Sequence, residues 1–144
     1  MIRKLLVAAL GLFLLFAVQR THAADVKVIV HATNALDSIT KAKVADLFLK
    51  RVTRWENGRP VTPVDQSEKS PVRAAFSKDL LGKEVVWVKS YWQKMIFSGR
   101  ATPPAEVSSD SQVLELLRTN PDAIGYVSDT TAIPAGVKPL TVRN

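Results

Sequence analysis

Short β-branched runs at Val26 to Val30, Val61 to Val64 and Ala123 to Val127 are separated by stretches too long for hairpins, and those stretches carry helical periodicity. Strands alternating with helices in this way predict an α/β fold, a small mixed β-sheet flanked by about four helices. The chain has 144 residues, room for one domain of ordinary size, and it contains no internal repeat. A hydrophobic fraction of 47% with 23% charged residues fits a packed globular core. There is no cysteine, so burial must hold the fold together without disulfides, and thiolate chemistry and Cys-based metal sites are excluded.

The helices can be placed from their stops and starts. Ser38 or Thr40 can cap a first helix with Val44, Leu47 and Phe48 at helical spacing. Trp55 to Gly58 reads as a turn into the second strand, where Pro63 marks an edge or an end. Asp65 to Ser70 reads as a polar loop, and Ser70-Pro71 as N-cap and first residue of a helix that stops at Gly82. Val85 to Phe97 is predicted as the third helix, with Val85, Val88, Trp92, Met95 and Ile96 facing a core and Trp87 the aromatic residue left to solvent. Ser98 to Val107 reads as a long loop stiffened by Pro103-Pro104. Ser109 or Asp110 then caps a fourth helix ended by Asn120-Pro121, and Val137 to Val142 reads as a weak last strand.

The N-terminus reads as an address. Arg3 and Lys4 precede a run of 14 apolar residues, Leu5 to Val18, and small residues follow, the order of a secretory signal peptide. The run is shorter than the ~20 residues of a bilayer-spanning helix. Residues 1–23 are therefore expected to be removed, leaving a domain over residues 24–144 in the periplasm. The mature chain would carry 17 basic and 13 acidic groups, mildly basic and without like-charge runs, so no nucleic-acid partner is indicated.

The segment from Asp65 to Arg73 carries the strongest chemical signal. With Ser70 as cap, Arg73 stands in the first helical turn beside amides that already bear partial positive charge. A cation there is unfavourable, and a bound tetrahedral oxyanion held by amides, the Ser67 and Ser70 hydroxyls and the guanidinium would resolve it. Pairing of Arg73 with Asp65 or Glu68 on the surface is the plainer alternative. Gly125 allows a close approach by a ligand or, more simply, by a packed helix. Tyr126 belongs either to the core or to a cleft. His31 is the one histidine of the mature chain, no carboxylate pair has diagnostic spacing, and neither an enzyme nor a metal or other cofactor is expected.

Ordered pieces along the chain carry a family resemblance: Ile39 to Phe48, Thr53 to Gly58, Val61 to Asp65, Ser70 to Phe76, Tyr91-Trp92, Ile96 to Gly99, Pro103-Pro104 and Ala123 to Val127. Together they resemble the phosphate ABC transporter substrate-binding proteins of the type II periplasmic binding protein superfamily, with this chain as a short, single-lobe member. The resemblance implies a cleft that holds phosphate through hydroxyls, helix amides, an arginine and an acid. It makes Ser67, Ser70 and Arg73 ligand-binding candidates, with Thr33, Asn34 and Tyr126 as further contributors. It departs from the pattern where Ala32 to Ala35 stands in place of a glycine- and serine-rich loop. The implied partners are inorganic phosphate or another oxyanion and an ABC transporter membrane component or other envelope protein. The alternative is a non-catalytic interaction module that keeps a one-lobe fold and binds an envelope protein, with Trp87 and Pro103-Pro104 as its surface.

Overall fold

The computed structural model describes residues 25–144, so the expected signal peptide lies outside the described residues. The elements run β1 (Val26–His31), β2 (Ser38–Thr40), α1 (Lys41–Phe48), β3 (Thr62–Gln66), α2 (Pro71–Phe76), a π-helical segment Ser77–Leu81, α3 (Val85–Phe97), β4 (Ala105–Val107), α4 (Asp110–Thr119), β5 (Ala123–Ser128), β6 (Val137–Pro139) and β7 (Thr141–Arg143). Five strands form a mixed sheet in the order β4-β3-β5-β1-β6. β3 runs parallel to β4 and β5, while β1 runs against β5 and β6. The expected α/β class and mixed sheet are what the chain forms.

Strand alternation sorts the core into two layers. Val28 and Val30 of β1 with Ile124 and Tyr126 of β5 face α1, α2 and α3, where Phe48, Phe76, Val88 and Trp92 complete the larger cluster. Ile29, Ala123 and Val127 face the other way, onto Val113 and Leu117 of α4. A Cβ on Gly125 would stand 2.7 Å from Val113 Cγ1 and 3.2 Å from a Leu117 methyl. The glycine therefore serves close seating of α4 on the sheet, the simpler of its two sequence readings.

Several sequence expectations need correction. Of the two readings of Pro63, the strand end holds and the edge does not: β3 lies between β5 and β4, and Pro63 is its second residue, paired with β5 before the β4 pairing begins at Val64. Asp65 and Gln66 lie inside this strand and are buried, not in a polar loop. Part of the long loop is β4, and the last weak strand is two strands, β6 in the main sheet and β7 parallel to β2. Ile96 is 52% exposed and Phe97 is 89% exposed, more than Trp87 at 37%. α3 touches the core through Val88 and Trp92, with Tyr91 and Met95 half-buried against it, while Ile96 and Phe97 face away.

Candidate functional site

Parallel β3, β4 and β5 all end at one edge of the sheet, and α2 and α4 both start there. In open α/β sheets this carboxyl edge is where ligands bind. Ser70 caps α2 as expected: its hydroxyl accepts from the Val72 and Arg73 amides at 3.2 and 3.3 Å. The same hydroxyl donates to Gln66 Oε1 at 2.9 Å, so the cap is already engaged. Gln66 Nε2 donates to Asp110 Oδ1 at 2.8 Å, where α4 begins. One buried glutamine thus ties the two helix starts together across the strand end.

Arg73 does not face an open pocket. It is buried, with Nη1 2.8 Å from Asp65 Oδ2 and 3.6 Å from Glu106, and it donates to the Gln66 carbonyl oxygen at 2.8 Å. The anion that a cation in the first helical turn calls for is supplied by the chain itself, as Asp65. The pairing with Asp65 was one of the sequence alternatives, but it is interior, not superficial. Arg73 Nε is buried without a partner.

Tyr126 is fully buried, stacked on Phe76 with ring centroids 3.7 Å apart, and its hydroxyl donates to Asp65 Oδ1. It belongs to the core and, through its hydroxyl, to the polar cluster. Burial pushes the Asp65 carboxyl above the ordinary range, while Arg73, the Tyr126 hydroxyl and the Gln66 amide pull against that shift. Burial, then the charge of Asp65, holds Tyr126 well above the ordinary phenol value of 10.0.

The raised phenol has a measurable consequence. Above pH 10 the unfolded chain releases this proton while the folded chain keeps it, so the stabilisation is present below that pH and is lost as pH rises. One such group lowers unfolding free energy by about 1.4 kcal/mol per pH unit. Denaturant midpoints measured from pH 9 to 12 are expected to fall more steeply for the native chain than for Tyr126→Phe; equal slopes would contradict the burial of the hydroxyl.

Thr33 and Asn34 do not join this cluster. Because β1 runs against β5, the loop after His31 emerges at the opposite end of the sheet, about a strand length away at ~3.3 Å per residue. There His31 Nδ1 pairs with the Thr33 hydroxyl at 2.8 Å and accepts from the Thr33 amide, a local structural role. Ser67 is half-buried at the carboxyl edge, where its hydroxyl accepts weakly from the Lys69 amide at 3.4 Å.

The arrangement of the layers matches solved structures. An ABC-type phosphate transport receptor from Vibrio cholerae superposes with a TM-score of 0.62 at 18% identity, over 81% of this chain and 45% of that one. The chain has the fold of a part of that receptor. A Clostridium perfringens structure with bound phosphate, assigned to the phosphate ABC transporter substrate-binding proteins, gives 0.64 at 19% identity over 81% and 44%. PstS from Borrelia burgdorferi gives 0.63 at 16% identity over 83% and 47%. The chain therefore spans less than half the length of these proteins. No family model matches the chain. No curated protein matches it either.

Proposed function

We propose that this chain is a periplasmic solute-binding-like protein for phosphate or a similar oxyanion, acting beside an ABC transporter component or another envelope protein. The observation that carries the reading is the likeness of its fold to one half of phosphate-binding receptors at TM-scores of 0.62 to 0.64. The carboxyl edge bearing Ser67 and Ser70 would be the contact region, with Arg73 and its partner Asp65 sealed beneath it. The Asp65 carboxylate already neutralises the arginine, so affinity in the millimolar range is expected, about −4 kcal/mol.

Calorimetry of the chain from residue 24 with phosphate and sulfate tests this: saturable heat that weakens in Ser70→Ala supports it, and no heat up to high millimolar concentration overturns it. The interaction-module reading is favoured by one specific observation, the apolar groups left open on α3, Val86, Trp87 and Phe97. A partner retained by Ser70→Ala and lost by Trp87→Ala would select that reading.

A further inference from the structure

At the end of the sheet opposite to Arg73, three loops, β2, the start of α1 and the last strand line an open cavity of about 740 Å³. That volume lies within the ~300–1,000 Å³ of small-molecule sites and is far larger than an inorganic anion needs. Leu36, Ile39 and Trp55 contribute its apolar lining. Trp55 is held in place by its indole N–H, which donates to the Asp122 carbonyl oxygen at 3.1 Å.

The polar lining is rich in donors. Arg59 and Asp122 also line the space, but they satisfy each other through two hydrogen bonds of 2.7 and 3.1 Å. Asn34 spends its carboxamide oxygen on the Leu36 amide and Asn57 spends its own on the Arg59 amide, so each has its NH₂ group left. Lys43 and Arg143 have no carboxylate partner among the described residues. They belong to neighbouring segments, since Arg143 pairs with Thr40 in the β2–β7 register and Thr40 caps the turn that carries Lys43. Glu56 is the single lining carboxylate without a cation.

We infer that this cavity binds a small organic oxyanion, its phosphate, sulfonate or carboxylate head at Lys43 and Arg143 and its apolar body against Leu36, Ile39 and Trp55. A surplus of donors takes up a ligand that brings acceptors, and two cations with no internal partner set the sign of its charge. The site is separate from the carboxyl edge, so it stands or falls independently of phosphate binding there.

Titration of the chain from residue 24 with 2-naphthyl phosphate, followed by calorimetry, tests the inference. One-to-one binding is expected, with inorganic phosphate weaker at this site by about tenfold or more, because it lacks the apolar body. Lys43→Gln and Arg143→Gln should each weaken binding by about tenfold through loss of a charge-assisted contact. Lys94→Gln, which removes an exposed cation of α3 away from the cavity, should leave it unchanged. The inference is overturned if no binding occurs, if both cation variants bind like the native chain, if 2-naphthylmethylammonium binds equally well, or if Lys94→Gln abolishes binding.

Discussion

Arg73→Ala is expected to lower unfolding free energy by about 3–5 kcal/mol, read from urea denaturation, because it strands a buried carboxyl that the guanidinium now neutralises. Asp65 would then have to ionise alone in the interior or take up a proton, and both are unfavourable where burial already works against its charge. The double variant Asp65→Asn, Arg73→Met removes both charges and should recover most of the loss, since a buried pair replaced by well-packed neutral groups is often neutral for stability. A cost below about 1 kcal/mol for Arg73→Ala would instead match a solvent-facing side chain. The guanidinium would then be free, and an open oxyanion pocket at the start of α2 would return as the better description. The variant thus separates two functional readings through a stability measurement.

Phe76→Ala should cost about 3–5 kcal/mol by the same measurement. Phe76 is fully buried, stacks on Tyr126 at 3.7 Å and meets Phe48 edge-on at 4.7 Å. Its ring joins the hydrophobic layer to the polar cluster, because Tyr126, which it holds flat, carries the hydroxyl bound to Asp65. Phe76→Ala and Tyr126→Phe should therefore be non-additive, with a coupling of about 0.5–3 kcal/mol. Independent effects, or a Phe76→Ala cost under about 1 kcal/mol, would mean that the stacked pair does not organise this part of the core.

The elements legible in the sequence were those whose cause is local. Alternation in Val26 to Val30, the limits of α3, the Ser70-Pro71 helix start and the stop at Gly82, whose φ is 65°, all follow from neighbours a few residues away. The chemical signal at Arg73 was also legible: a cation in a first helical turn needs an anion. Its source was not. Asp65 and Gln66 have the composition of a loop, and what places them in a strand is pairing with β4, some forty residues on, and bonding to Tyr126. Grouping Thr33 and Asn34 with Ser70 failed for a topological reason, since strand direction decides which loops share an end of the sheet and no local pattern encodes direction. The cavity at that end was missed because its lining comes from four separate segments. What those segments share is two cations that line one cavity and have no carboxylate partner among the described residues.

The outer borders of the sheet bear on how it avoids pairing with a second molecule. Both outermost strands, β4 and β6, are three residues long. β4 follows directly on Pro103-Pro104, and β6 closes on Pro139. Such abbreviated, proline-flanked borders offer a neighbouring molecule almost no free backbone to extend. The sheet is thereby guarded against fibrillar self-assembly along its two outermost strands.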